Sequence, residues 1–413
     1  MSETGARFPD GSFLAYWSAL GVSQFGTAVS MMAIPLIAAV TIGVTPGQMT
    51  WLVAMELAPA LLVRIPAAAW SDRLRRRLPL MIACNLAEAV IMGAIPLLWW
   101  RGQLSFLTLL PLVAAASLVA GVHSSLSSPV LVQIVPREHL VDANGKTSAT
   151  RSVADISGPA AGGALMAVLS APLVVLVDAA SFLASALLLT RVRVPEAAGP
   201  AGERAARGTV RHVVRLAAVL ARRSGVQAMV ALSCVQGVMQ PILTLFMVRE
   251  LELGPTAIGL LLSLGAVGGI GGGLLAGRVM GRYGPGRTLA LGALVSACSP
   301  AALPFCGPGL SGAAGVVLFE LASSFGGTIL IATAFGALQG AAPEGKVATV
   351  MALAGTSLQV GALAGVLAGG ALGTVAGLRA TVAIAAALMI LALIPQIVRW
   401  YAARWEVDTV PVG

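Results

Sequence analysis

Ala68-Ala-Trp-Ser-Asp72-Arg73-Leu-Arg75-Arg76-Arg77 decides the fold of this chain. It is a short basic loop with one carboxylate, and it joins two apolar runs that are each about twenty residues long. A run of that length crosses a bilayer as a helix, and two helices joined by so few residues return antiparallel. The four arginines favour the cytoplasmic side of a membrane. The stretch therefore predicts a hairpin of two transmembrane helices.

The composition agrees with a membrane protein. Hydrophobic residues make up 57% of the chain and charged residues only 10%, whereas soluble domains carry roughly 25% charged residues. The net charge of +9 does not indicate a nucleic-acid partner, because the basic residues lie in short loops between apolar runs. The four cysteines lie inside apolar runs without a C-x-x-C pair, so we expect neither disulfides nor a metal site.

Twelve apolar spans follow one another along the chain. They predict an all-α polytopic membrane protein with twelve transmembrane helices in two six-helix halves. We expect an N-terminal half at 1–191, a cytoplasmic linker with a basic amphipathic helix at 192–224, and a C-terminal half at 225–413. The predicted spans are 13–40, 51–70, 79–100, 104–128, 146–169, 172–191, 225–248, 256–277, 288–306, 310–338, 347–373 and 377–399.

Two short patterns recur at nearly the same spacing. Gly277-Arg-Val-Met-Gly281-Arg282-Tyr-Gly284 repeats the frame of the opening loop, with Gly281 lying 209 residues after Asp72. Pro343-Glu-Gly-Lys346 repeats Pro136-Arg-Glu-His139 at an offset of 207 residues. Two coincident offsets indicate that one half is a duplicate of the other, as in transporters with parallel repeats.

The opening loop resembles the G-x-x-x-D-R-x-G-R-R motif of the major facilitator superfamily, with Ala68 and Arg75 in place of two glycines. Gly158-Pro159-x-x-Gly162-Gly163 resembles the fifth-helix motif of exporters in that superfamily. The stretch from Pro136 to Ala154 is similar to the enterobactin-exporter and macrolide-efflux branch, although Gly26-Thr27 stands where that branch usually has Gly-Asp.

The resemblance implies several residue roles. Asp72, together with Arg73 and Arg76, would form a latch between the cytoplasmic ends of the two halves. The second helix would meet the eleventh, and the fifth would meet the eighth. Glycines recur every four residues in two of these helices and would give smooth packing faces; they are Gly265, Gly269, Gly273 and Gly277 in the eighth, and Gly361, Gly365, Gly369 and Gly373 in the eleventh.

Ionisable residues inside the spans are candidates for proton coupling, because each is costly to insert into a bilayer. Asp155 follows Arg151 by four residues, so the two share a helix face near the middle of the fifth span. Glu320 lies near the middle of the tenth span, and Glu56 lies on the second. Glu88 and Asp178 fall on the third and sixth helices, which the resemblance places at the periphery, so we interpret them as structural polar contacts.

Polar side chains on other spans are candidates to contact a substrate: Gln24, His123, Gln236, Gln240 and Gln359. The three histidines form no H-E-x-x-H pattern, and no G-x-x-x-x-G-K-[ST] nucleotide signature occurs. We therefore expect no enzymatic activity, no cofactor and no bound metal. The proton motive force is the expected drive.

The sequence and its resemblance together predict a secondary transporter that exports a small amphipathic molecule, such as a drug, an antibiotic or a siderophore-like metabolite. Uptake by symport, a lipid flippase and a non-transporting membrane protein remain alternatives. Twenty-one basic residues fall in predicted cytoplasmic segments against three in outer loops, which places both termini inside. We expect a multi-pass protein of the inner membrane that contacts lipid, protons and its substrate, and that is a monomer.

Overall fold

The computed structural model describes residues 10–71, 74, 76–194, 224–342 and 347–402. Within these ranges the chain forms helices and no strands. We number the long helices by the predicted spans. They are α1 (Gly11–Leu36), α2 (Pro46–Ser71), α3 (Leu78–Trp100), α4 (Phe106–Ile134), α5 (Leu140–Met166), α6 (Ala171–Leu189), α7 (Ser224–Arg249), a bent helix Pro255–Cys298 whose arms 255–283 and 285–298 are α8 and α9, α10 (Leu310–Ala341), α11 (Val347–Val375) and α12 (Leu378–Ala402).

Local chemistry explains several helix boundaries. Asp10 caps α1, because its carboxylate accepts a 2.7 Å hydrogen bond from the backbone N–H of Phe13. The helix continues as a π-helical segment, Ile37–Ile42, and ends at Gly43, whose φ of 74° suits a left-handed C-cap. Gly284 separates α8 from α9 with φ 78° and ψ 166°, and Pro285 follows it. A side chain at Gly284 would be strained in that conformation.

Length and apolarity confirm the predicted membrane architecture. In the described part of the chain, nine helical segments are long and apolar enough to cross a membrane, and one of them, 255–305, contains both α8 and α9. The more polar helices α2 and α5 are not among these nine. Helix α2 carries Glu56 and Arg64, and α5 carries Arg151 and Asp155. An all-α polytopic fold is therefore confirmed.

The helices group into two compact units. The described residues of the first unit are 10–43 and 55–194, and those of the second are 44–54, 224–342 and 347–402. In the first unit α1 packs on α5 and α6, and α3 packs on α4 and α6. In the second unit α7 packs on α11 and α12, and the bent helix α8–α9 packs on α10 and α12. Each unit thus uses equivalent helix pairs, as expected of a duplicated half.

Two details of the predicted domain organisation bear on these units. Residues 44–54, which include the first turns of α2, group with the second unit. Within the second unit, a Cβ at Gly370 of α11 would collide with the side chain of Thr50. The amphipathic part of the predicted linker, within 195–223, lies outside the described residues.

Glycines allow helices to approach closely within each unit. A Cβ at Gly365 of α11 would collide with the backbone carbonyl of Cys234 on α7, and one at Gly268 of α8 would collide with that of Leu321 on α10. Gly365, one of the glycines predicted for the smooth face of α11, is therefore used for packing on α7, whereas Gly268, where α8 approaches the backbone of α10, is not one of the four glycines predicted for the face of α8.

Candidate functional site

A cavity of about 560 Å³ lies within the first unit. Residues of α1 to α6 line it, and most of the side chains are polar. Hydroxyl groups predominate, supplied by Tyr16, Ser23, Thr27, Ser30, Ser117, Ser124, Ser127, Ser128, Thr147 and Ser148. Leu20, Met31, Met92 and Phe182 add apolar surface. A cavity of this size and mixed lining is typical of a small-molecule site.

Many of the lining hydroxyls donate their hydrogens to helix carbonyls. Ser23 Oγ donates to Leu20 O at 3.1 Å, and Ser124 Oγ donates to Gly121 O at 2.9 Å. The same pattern, in which a hydroxyl bonds a carbonyl three or four residues earlier, holds for Ser127 with His123 and for Thr147 with Asn144. Tyr16 Oη donates to Ser127 O across helices at 2.8 Å. These hydroxyl groups can therefore line a cavity between helices while their hydrogens remain hydrogen-bonded.

The cavity brings together five of the residues singled out from the sequence. They come from four different helices of the first unit, and they are Gln24, Glu56, His123, Arg151 and Asp155. The candidates in the second unit lie elsewhere. Gln236, Gln240 and Gln359 are exposed, and the Glu320 carboxyl group of α10 lies against Gly265 of α8, where an added Cβ would be 2.5 Å from its Oε2 atom.

Arg151 and Asp155 form the ion pair that their spacing predicts. Arg151 Nε lies 3.9 Å from Asp155 Oδ2, and the two side chains are 73% and 58% exposed. Such exposure weakens the attraction between the two charges and leaves both available to a solute in the cavity.

Sequence reasoning did not place Glu88 and Asp178 at the cavity, yet both line it. Glu88 of α3 is 4% exposed and Asp178 of α6 is 1% exposed. Ser181 Oγ donates to the Asp178 backbone carbonyl at 2.8 Å and lies 3.4 Å from its Oδ1 atom. A Cβ at Gly26 would be 2.8 Å from that Oδ1, so the glycine makes room for the carboxyl group beside α1. The sequence signal that could have identified Glu88 and Asp178 as functional residues is that carboxyl groups are rare inside apolar spans.

Several buried polar atoms of the first unit have no hydrogen-bond partner among the described residues. They are Gln24 Oε1, Ser30 Oγ, Asn85 Oδ1, Glu88 Oε2 and His123 Nε2. All except Asn85 belong to residues that line the cavity. Buried polar atoms are rarely left unpaired in native proteins, so such a cluster indicates a place where a ligand, an ion or water binds.

The fifth-helix motif contacts α1. A Cβ at Gly158 would collide with Ala28, and one at Gly162 would lie 3.4 to 3.6 Å from atoms of Met32 and Val29. Gly163 is buried as well, and α5 remains helical through Pro159. Within the first unit, these small residues let α5 pack closely on α1.

Two of the three latch residues, Asp72 and Arg73, lie outside the described residues. Arg76 is exposed, and its neighbour Arg77 donates from Nε to the backbone carbonyl of Ser71 at 2.9 Å. No group of three or more His, Cys, Asp or Glu side chains able to hold a metal ion occurs in the ranges that the structure covers.

A comparison with protein-family profiles assigns the chain to a family. The profile of the Major Facilitator Superfamily matches residues 16–359 and, in a second match, residues 228–411. This chain belongs to the major facilitator superfamily. Membership indicates a membrane transporter and not an enzyme. This match does not extend to the more specific enterobactin-exporter and macrolide-efflux branch.

Solved structures agree with this assignment. A bacterial homologue of the human lysosomal transporter Spinster is similar, with a TM-score of 0.69 and 15% identity, over 97% of this chain and 99% of that one. The nucleoside transporter NupG gives a TM-score of 0.73 at 11% identity, over 96% and 99%. A bacterial homologue of the iron transporter ferroportin gives 0.68 at 19%, over 95% and 98%. At these identities the likeness concerns the fold alone. No curated protein matches the sequence significantly.

Proposed function

We propose that this protein is a secondary active transporter that exports a small amphipathic molecule by alternating access, driven by proton antiport. A drug, an antibiotic or a siderophore-like metabolite fits this class. The observation that carries the proposal is the 560 Å³ cavity inside the first unit of a major facilitator fold. The structural neighbours carry different substrates on this fold, so the substrate class is argued from the cavity lining.

The lining suits an amphipathic solute. Met31 and Met92 present flexible thioether side chains, which adapt to varied apolar shapes. Gln24 and the serine hydroxyls supply hydrogen-bonding groups beside that apolar surface. A solute with an apolar body and a few polar groups satisfies both kinds of contact at once.

Antiport is supported by the carboxyl groups of the same cavity. In this scheme a proton from outside and a substrate from inside occupy the site in turn, and each favours a different conformation. Asp155 with Arg151, and Glu56, are coupling candidates at the cavity. Glu320 is a candidate in the second unit. The resemblance of Gly158-Pro159-x-x-Gly162-Gly163 to an exporter motif favours the outward direction.

The remaining parts of the proposal follow from the sequence. Asp72 acts with Arg73 and Arg76 as a cytoplasmic latch between halves, and a linker at 192–224 joins them. The basic loops support a cytoplasmic position for both termini. The protein acts as a monomer in the inner membrane and needs no cofactor beyond the proton motive force.

Accumulation of a varied drug and dye panel in efflux-deficient cells tests this function. Cells that express the protein should accumulate less of at least one compound, and a protonophore should restore the accumulation. Asp155→Asn and Glu320→Gln should reduce the effect at equal membrane levels, whereas Asp142→Asn, an exposed residue outside the cavity lining, serves as a matched control. Higher accumulation would indicate uptake, and movement of a labelled phospholipid between leaflets would indicate a flippase.

A further inference from the structure

Glu88 and Asp178 bring two carboxyl groups together inside the first unit. Helices α3 and α6 pack against each other, and the two carboxyl groups lie close enough to interact electrostatically. Their side chains are almost fully buried, at 4% and 1% exposure, yet both residues line the cavity. The pair is thus withdrawn from bulk solvent but reachable from the cavity.

No salt bridge to either carboxyl group occurs in the ranges that the structure covers. The ion pairs found there join Lys146 to Asp142, Arg151 to Asp155 and Arg379 to Glu250. Two buried carboxylates at one cavity are strongly unfavourable unless a positive charge balances them. Arg64 and Arg151 line the same cavity, but no ion pair joins either of them to Glu88 or Asp178 in the described residues, so a cation from the cavity would balance this charge.

The atoms around Glu88 lack a hydrogen. Glu88 Oε2 and Asn85 Oδ1 are both acceptors, both buried, and both without a partner among the described residues. The two residues are three apart on α3 and so share a helix face. Asn85 already donates from Nδ2 to Ser185 Oγ at 2.8 Å. A proton on Glu88 Oε2 would turn this unpaired, buried acceptor into a donor and remove its negative charge.

Asp178 has a different environment. Ser181 lies beside its Oδ1 atom, and the hydroxyls of Thr27 and Ser30 on α1 lie close to the carboxyl group. Ser30 is 3% exposed, and its Oγ atom has no hydrogen-bond partner among the described residues. Hydroxyl groups beside the Asp178 carboxyl group favour its charged form, whereas Glu88 Oε2 has no partner among the described residues. The surroundings therefore favour the proton on Glu88 and the charge on Asp178.

We propose that Glu88 and Asp178 together bind one exchangeable proton taken from water in the cavity, with Glu88 as the residue that carries it. A hydronium ion transfers its proton to Glu88 Oε2 and leaves as water, so two carboxylates become one carboxylate and one carboxylic acid. The inference deepens the proposed antiport and rests on it for its physiological meaning. Proton binding itself is measured without a substrate.

Other ionisable groups line the same cavity and have to be separated from this pair. Helix α2 contributes Glu56 and Arg64, α4 contributes His123, and α5 contributes the Arg151–Asp155 pair. Cys84 lies near Glu88 on α3. Helix α1 carries no acidic or basic side chain along Gly11–Leu36. Variants at Glu88 and Asp178 therefore need to be compared with one at Glu56.

Infrared difference spectroscopy of the full-length protein in lipid vesicles tests the proposal. A step from alkaline to acidic pH should produce the C=O stretching band of a protonated, buried carboxylic acid. Glu88→Gln should remove the component of that band that comes from Glu88, and Asp178→Asn should shift the pH midpoint of this component, because the neighbouring charge is removed. Glu56→Gln and Asp142→Asn should leave the band in place. A band that survives Glu88→Gln unchanged would overturn the proposal.

A second measurement keeps the test valid if a variant fails to fold. Dicyclohexylcarbodiimide reacts with protonated carboxylic acids in apolar surroundings, so the wild-type protein should be labelled on Glu88 at acidic pH and protected at alkaline pH, as read by mass spectrometry. Absence of label on Glu88 at acidic pH would contradict the assignment. Replacing K⁺ with Na⁺ at constant pH should change neither the infrared band nor the labelling. A change in either would indicate that a metal cation binds at the pair and would overturn the proposal of a bound proton.

The outcomes separate this inference from the proposed function. A titrating band on Glu88 with no protonophore effect in cells would support the proton site and contradict proton-driven export. Protonophore-sensitive export that persists in Glu88→Gln, with no band assigned to Glu88, would support export and contradict the site.

Discussion

Ser117 inserts its hydroxyl between the backbone groups of Glu56 and Ala60. Ser117 Oγ donates to Glu56 O at 2.6 Å and accepts from the N–H of Ala60 at 3.2 Å, so a side chain of α4 bridges a carbonyl and an amide that an uninterrupted α2 would pair directly. Pro59 precedes this amide, and a proline inside a helix opens the backbone where a side chain can enter. The contact fixes α2 beside the cavity at the residue that carries the Glu56 carboxyl group.

Ser117→Ala should destabilise the protein, because both backbone groups lose the bridging hydroxyl. The expected loss is about 1 kcal/mol, the usual net value of one hydrogen bond, and more if the Glu56 carbonyl stays unpaired. Thermal unfolding in detergent, followed by tryptophan fluorescence, measures it. Ser157→Ala is the matched control, since the hydroxyl of Ser157 forms an exposed hydrogen bond to Val153 O of its own helix. Equal effects of the two variants would contradict the bridge.

Gly365→Ala should disrupt the second unit, because the added methyl group would meet the Cys234 carbonyl, a backbone atom that cannot rotate away. We expect a loss of about 1–3 kcal/mol, as for overpacked cores. Gly277→Ala should be neutral or slightly stabilising, since nothing lies within 4 Å of its Cβ position and alanine is the better helix former. Yield of monodisperse protein after size-exclusion chromatography compares the two. A tolerated Gly365→Ala would mean that α7 and α11 are less closely packed.

Arg379 of α12 holds three groups of the second unit together. It lies 3.3 Å from Glu250 Oε2, donates to the Pro304 carbonyl at 3.0 Å, and its guanidinium is 5.9 Å from the Phe246 ring centroid. Arg379→Ala should lower stability by about 1 kcal/mol, since the ion pair is partly exposed and screened by salt. Arg379→Lys should recover only part of this, because an ammonium group lacks the planar fork. Thermal unfolding of both variants beside Arg101→Ala, an exposed arginine between α3 and α4, checks the prediction.

Asp155→Asn should leave stability nearly unchanged, because the Arg151–Asp155 pair is long and exposed. Exposed pairs contribute roughly 0.2–1 kcal/mol. If Asp155 takes part in coupling, transport should fall while the unfolding temperature stays within error of the wild type. Parallel measurement of dye accumulation and thermal unfolding separates the two effects. A large drop in unfolding temperature would assign Asp155 a structural role.

Asp72→Asn should keep normal membrane levels and lower transport, because the substitution removes the charge proposed to latch the halves. A carboxylate near a helix N-terminus contributes about 0.3–1 kcal/mol at an exposed site, too little to decide folding but enough to shift a conformational equilibrium. Dye accumulation normalised to membrane protein measures the effect. Wild-type transport at normal levels would remove the latch.

The sequence predicts the apolar helices well, because a bilayer demands long apolar runs. The predicted span 79–100 becomes Leu78–Trp100, and 172–191 becomes Ala171–Leu189. Helix α5 instead begins at Leu140, six residues before its predicted start, because its first turns are polar and the Lys146–Asp142 ion pair lies there. A hydropathy pattern marks only the apolar part of a helix, so it does not predict polar turns that extend the helix beyond the apolar span.

The candidate site was harder to predict, because its residues come from distant parts of the chain. Glu88 and Asp178 are ninety residues apart, and nothing in either local sequence pairs them. Placing their helices at the periphery led to a structural interpretation, whereas the structure puts both residues at the cavity. The first helix has Thr27, and not an aspartate, after Gly26. The carboxyl group of Asp178 on α6 lies beside Gly26 and Thr27.

The hydroxyls that line the cavity have a consequence for whatever enters it. Since Ser23, Ser124, Ser127 and Thr147 turn their hydrogens back to helix carbonyls, the oxygen lone pairs are what these residues can offer to the interior. A water molecule at this wall donates its hydrogens to the hydroxyl oxygens. A solute that replaces this water keeps the wall satisfied only if it brings hydrogens of its own, so the serine-rich lining sorts solutes by the donors they carry.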